Sequence, residues 1–149
     1  MYFSYGNIYL SKKEFKNTIR YDNVDYIIYP LNDSYKRSKG GNSNVFKLFN
    51  PQNEDEFIIK FSKYDPVNII SRITRFEREV EALRLSTELE SDNIIHYYFD
   101  DYKDIGAKRF HFYVMERGDF DLTQYLDNND ISDQQRLLLC TDILNGIKQ

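Results

Sequence analysis

The sequence predicts an α+β fold: a five-stranded antiparallel sheet packed by one main helix, with further short helices toward the end of the chain. Three observations predict it. Short apolar runs with strand alternation, Val45-Phe46-Lys47-Leu48-Phe49 and Phe57-Ile58-Ile59-Lys60, are bounded by turn residues. The period then changes, because Ile69, Ile73, Phe76, Val80 and Leu83 recur at steps of three and four, as on an amphipathic helix over 68–87. Finally, Asp121 before Leu122 has the chemistry of an N-cap, and Ser132-Asp133-Gln134-Gln135 that of a capping box.

In order, Ser11-Lys12-Lys13-Glu14 has capping-box spacing and predicts a short helix through Asn17. Ile19-Arg20-Tyr21 and the run 24–29 flank Asp22-Asn23 like the arms of a hairpin. The aromatics clustered near the start read as sheet-packing side chains rather than as a ligand site. Tyr35 and Arg37 predict a strand leading into the turn Ser38-Lys39-Gly40-Gly41-Asn42-Ser43-Asn44-Val45. Backbone N–H groups of such a turn can approach phosphate oxygens, although Gly-Gly-Asn is also ordinary hairpin punctuation. Asn50-Pro51-Gln52-Asn53-Glu54-Asp55 predicts the next hairpin tip.

Strand alternation sorts the residues around Lys60. Phe57, Ile59 and Phe61 share one face, while Ile58 and Lys60 share the other, so a lysine is carried to a sheltered place where it needs an anion. Glu79 lies beside the apolar stripe of the helix, from where its carboxylate can reach Lys60; the other reading is an exposed pair with Arg75 across one turn. Glu77 and Glu81 point elsewhere. The segments 94–98 and 109–115 predict two further strands around a turn region at 100–108. His96 and His111 have no second histidine, cysteine pair or carboxylate at metal-ligand spacing, and read as surface or rim residues. The last helix carries the stripe Leu137, Cys140, Ile143, Leu144 and Ile147, in which Cys140 reads as a small buried thiol.

A chain of 149 residues, 41% of them hydrophobic, sustains one ordinary domain with a core. Its 24 acidic and 20 basic side chains are interspersed and leave a net charge of -4, which disfavours nucleic acid as a partner. A single cysteine, the lack of a signal-like start and the lack of a bilayer-length apolar run point to a cytoplasmic protein with no membrane partner.

These pieces resemble the protein kinase family in order and approximate spacing. The family's loop, G-x-G-x-x-G-x-V, lies over Ser38, Gly40, Ser43 and Val45, with Gly41 inside it, and its V-A-I-K strand lies over Phe57-Ile58-Ile59-Lys60. Serine stands for two loop glycines, and Ile58 for the small residue that faces adenine in the family. Phe76-Glu77-Arg78-Glu79-Val80 is similar to the helix whose glutamate pairs with that lysine. Phe112-Tyr113-Val114-Met115-Glu116-Arg117-Gly118 resembles the last strand of the family's N-lobe and its hinge.

The resemblance implies a kinase-like N-lobe and hinge over 35–118, after an N-terminal extension over 1–34 and before the first C-lobe helices over 119–149. It implies that Lys60 holds the α and β phosphates of ATP, paired with Glu79. Met115 would be the gatekeeper, the carbonyl of Glu116 and N–H of Gly118 would meet the adenine edge, and Asp121 would reach a ribose hydroxyl if it is not simply a helix cap. No H-R-D or D-F-G motif follows within these residues, so the chain alone is expected not to transfer phosphoryl groups; Mg²⁺ and a protein substrate belong to a longer Ser/Thr-type parent. A truncated pseudokinase acting as a regulatory or protein-binding module, and an unrelated α+β domain in which Lys60 and Glu79 are structural, are the alternatives. Left without the rest of a C-lobe, the 132–149 helix is expected to self-associate or to be poorly ordered.

Overall fold

The structure, a computed structural model, describes residues 2–5, 8–11, 18–31, 43–63, 69–119 and 121–148. The expected helix through Asn17, the expected strand at Tyr35 and Arg37 and the 38–42 portion of the glycine turn lie outside these residues.

An antiparallel pair, β1 (Tyr2–Tyr5) and β2 (Ile8–Ser11), comes first. Six strands then form one antiparallel sheet: β3 (Thr18–Tyr21), β4 (Val24–Pro30), β5 (Ser43–Phe49), β6 (Glu56–Ser62), β7 (Tyr97–Ile105) and β8 (Lys108–Glu116), in the order β3-β4-β5-β6-β8-β7. Among the described residues three helices complete the α+β fold: α1 (Ile69–Glu88), between β6 and β7, then α2 (Leu122–Asn128) and α3 (Asp133–Lys148).

The expected sheet has five strands; among the described residues it has six, four of the expected ones and the two arms of the hairpin at 18–30, which β4 hydrogen-bonds to β5, while the fifth expected strand at 35–37 lies outside these residues. Its turn is Asp22-Asn23, both at positive φ (47° and 62°), a conformation whose twist matches that of the strands it joins. The next turn is held by Asn50, whose backbone N–H donates to the Asp55 carbonyl at 2.9 Å and whose carbonyl accepts from Glu54 at 2.9 Å. The expected turn region at 100–108 is much shorter. Gly106, at φ 60°, and Ala107 suffice, and Asp100 to Asp104 continue β7 because each is paired with β8, from Asp100 opposite Tyr113 to Asp104 opposite Arg109.

The sheet curls until its two edges meet. Lys103 Nζ on β7 donates to the Thr18 carbonyl on β3 at 2.7 Å, and the rings of Tyr21 and Phe99 stack with centroids 3.6 Å apart. Inside this near-barrel lie Ile19, Ile28, Leu48, Ile59, Phe61, Phe99, Ile105, Phe110, Phe112 and Val114, the alternate residues of all six strands. Full burial of each such side chain is worth roughly 1.5 to 3 kcal/mol, so this interior is the main source of stability.

The other sheet face receives α1. Phe76, Val80 and Leu83 pack on Tyr113, Met115 and Tyr97, while Ile70 and Ile73, also on the helix, stay exposed because the sheet supports only its later turns. The helix ends with Glu90 at φ 51°: Ser91 N–H bonds to Ser86 O at 3.1 Å and Glu90 N–H to Thr87 O at 3.0 Å, the paired bonds of a left-handed cap. Thr87 Oγ1 then accepts from Tyr97 N–H at 2.9 Å, fixing the entry to β7.

Both expected caps near the end form. Asp121 accepts from Gln124 N–H at 2.8 Å, and Ser132 Oγ from Gln135 N–H at 3.3 Å. Helix α3 has no buried residue, and Leu137, Leu138, Ile143, Leu144 and Ile147 are all exposed. Cys140, expected to be buried, is exposed as well, since a helical period marks a stripe without supplying anything to cover it. No helix among the described residues is long and apolar enough to cross a membrane.

Candidate functional site

Strand register builds the site. Val45 on β5 is opposite Lys60 on β6, and Lys60 is opposite Tyr113 on β8, so three side chains form one row across the sheet. In the next row Lys47, Ile58, Met115 and Tyr97 stand side by side. All point to the face that carries α1, because side chains opposite one another share a face. The expected sorting of Ile58 with Lys60, and of Phe57, Ile59 and Phe61 together, follows from the same parity.

Helix α1 brings Glu79 over the first row. Lys60 Nζ forms an ion pair and hydrogen bond with Glu79 Oε1. The lysine side chain is only 20% exposed and the glutamate 40%, so the contact sits at the margin of the packed layer rather than in open water. Of the two readings open for Glu79, the one that reaches Lys60 is the one present; Glu81 turns away to Arg84. The Tyr113 hydroxyl donates to the same Oε1 at 2.7 Å, and the Lys60 ammonium lies 5.7 Å from the Tyr113 ring centroid. Burial, then the hydrogen bond and the charge of Glu79, push the Tyr113 phenol well above the ordinary tyrosine range, so it remains a donor.

Other candidate residues fall around this centre. Ser43 is buried at the start of β5, and Ile58 is buried beside Lys60. Met115 packs under α1, and Glu116 closes β8 with its N–H donating to the His96 carbonyl at 2.9 Å. Arg117 pairs with Glu56, at the start of β6, as the chain leaves the sheet toward Gly118. Asp121 caps α2 with one carboxylate oxygen, which satisfies the simpler of its two readings. Ser38, Gly40 and Gly41 lie outside the described residues.

A second polar cluster was not foreseen. His111, expected at a rim, is 11% exposed, and its Nε2 lies 2.8 Å from Asp100 Oδ2. The Tyr97 hydroxyl donates to Asp100 Oδ1. A bulge between Tyr97 and Phe99 makes this possible, because it shifts the parity of β7 and puts Tyr97 and Asp100 on one face. Tyr102 stacks on the His111 ring and Phe76 of α1 meets its edge, at centroid distances of 4.6 and 5.3 Å. Tyr113 was also missed, although its parity with Met115 was a readable signal.

Chemically, the centre offers a half-sheltered ammonium fixed by a carboxylate and flanked by Val45, Ile58 and Met115, a surface suited to an anion with an apolar group attached. Among the described residues no group of three or more His, Cys, Asp or Glu side chains could hold a metal ion. Comparison with models of known protein families and with curated proteins gives no match for this chain.

Proposed function

We propose that the chain binds ATP as the nucleotide-binding lobe of a Ser/Thr-type protein-kinase-like phosphotransferase. The observation that supports the reading is the strand-to-helix contact between Lys60 and Glu79, two residues 19 positions apart that the family resemblance had paired. An ammonium has three N–H donors, and Glu79 takes one, so Lys60 retains donors for the oxygens of the α and β phosphates. Glu79 orients the amine, and Val45 and Ile58 offer apolar contact to a base. Met115 and the Glu116-Arg117-Gly118 exit take the gatekeeper and hinge positions. In a longer parent, ATP would supply the phosphoryl group, Mg²⁺ would accompany its phosphates and a protein hydroxyl would be the acceptor; the part of these residues is to hold the nucleotide.

Calorimetric titration with ATP tests this on the whole chain. Lys60→Ala is expected to weaken binding at least about tenfold, the scale of a lost charge-assisted bond, while Lys63→Ala changes it less than about twofold. Equal effects of the two substitutions, or no ATP binding by the wild type, would remove the proposal.

A further inference from the structure

We infer that Tyr113 is a positioning residue of this site, holding Glu79 in place so that Lys60 can be shared with a phosphate. The inference rests on the nucleotide-binding reading and gives a role to Tyr113, which that reading leaves without one. Tyr113 is 1% exposed and directly opposite Lys60 in the register of β6 and β8. Its ring packs against Phe76, one turn before Glu79 on α1, with centroids 5.4 Å apart, and its hydroxyl ends on Glu79 Oε1 at 2.7 Å.

That oxygen therefore has two donors, one mobile and one fixed. The lysine stem has four rotatable bonds and an ammonium that an incoming phosphate attracts. The phenol is rigid, buried and unable to follow. When a triphosphate draws on the Lys60 ammonium, Glu79 keeps its bond to Tyr113 and stays within reach of the amine. Without the hydroxyl, Lys60 is the remaining donor to that oxygen, and each gain by the phosphate is a loss for the helix contact. A buried tyrosine that merely satisfied its own hydroxyl on Glu79 would be coupled to Glu79 in unfolding and not in ATP affinity.

The experiment is a double-mutant cycle of Tyr113→Phe and Glu79→Gln in the full chain, read in ATP affinity and, separately, in urea unfolding. Tyr113→Phe is expected to weaken ATP binding roughly fivefold to tenfold, the range of a hydrogen bond to a charged group. In the Glu79→Gln background the same change is expected to cost less than about twofold, with a matching non-additivity in unfolding. Wild-type affinity in Tyr113→Phe, or an equal loss with and without Glu79, overturns the inference and leaves the ATP proposal standing. Absence of ATP binding in the wild type overturns the ATP proposal and the sharing with phosphate, and the unfolding cycle then reports whether the Tyr113–Glu79 link is structural alone.

Discussion

Asp100 and His111, diagonal to one another across β7 and β8, are joined by a 2.8 Å contact against the flank of α1. The bulge that lets Tyr97 reach the other oxygen of Asp100 makes this a three-residue polar network in a layer otherwise held by aromatic packing. Such networks reward completeness, because each member left unpaired and buried costs more than a single bond returns.

The network gives the stability a predictable acid limb. Burial, the largest influence on Asp100, raises its carboxyl, but the hydrogen bonds from Tyr97 and His111 and the charges of His111 and Arg84 together lower it below the ordinary aspartate range. A lowered folded value contributes stability that is full above the unfolded value of about 3.9 and is lost as pH falls through the folded one. Asp100→Asn is expected to destabilise by roughly 1 to 3 kcal/mol near neutral pH. In urea unfolding from pH 6 to pH 2, the gap between the two proteins should close toward the acid end.

The alkaline limb has the opposite sign. Tyr97 and Tyr113 are both raised, chiefly by burial and then by bonds to Asp100 and Glu79. Their contribution is complete below the unfolded tyrosine value of about 10 and declines as pH rises beyond it, by about 1.4 kcal/mol per pH unit for each group. Tyrosinate absorbance should therefore lag for these two until the chain unfolds, and Tyr113→Phe should flatten the decline between pH 10 and pH 12.

The end of α1 is open to improvement. Glu90 is an exposed residue at φ 51°, where a Cβ is crowded and glycine is not. Glu90→Gly is expected to raise stability by about 1 kcal/mol, read as a higher urea midpoint with an unchanged slope. A lower midpoint would mean that the carboxylate contributes more than the backbone strain costs.

Helix α3, with its apolar residues exposed, is expected to pair with a second copy of itself. Two copies laid antiparallel, with Leu137 against Leu144, also set Asp133 against Lys148. Light scattering over a concentration series is expected to show an apparent mass rising above the monomer, and Leu144→Lys to abolish the rise. Because Leu144 is 55% exposed, that substitution should change monomer stability by no more than about 0.5 kcal/mol.

Much of the frame was legible where one periodicity ruled a segment. β5, β6 and α1 follow from apolar spacing and both late helices from their capping residues, whereas strand parity and helix position left Glu79 between Lys60 and Arg75, and the family resemblance chose Lys60. The polar half of β7 was not legible, since Asp100, Asp101, Lys103 and Asp104 look like a loop until a partner strand pairs with them. Nor was the cluster around His111, which depends on a bulge that no local pattern announces. Exposure of Ile73 and Cys140 escaped for a simpler reason: spacing tells which face is apolar, and only tertiary structure tells whether it is covered.

The seam between Lys103 and Thr18 joins positions 85 residues apart, and it dictates an order of events during synthesis. β3 through β6 can pair with their sequence neighbours as they emerge, yet Ile28, Leu48 and Phe61 remain wet until β8 has docked beside β6 and β7 has turned back toward β3. Such distant closure is slow compared with hairpin formation. A ribosome that has released β6 but not β8 therefore displays a half-finished sheet with an unpaired β6 edge and an uncovered aromatic lining, the form of this chain most exposed to aggregation and most in need of a chaperone.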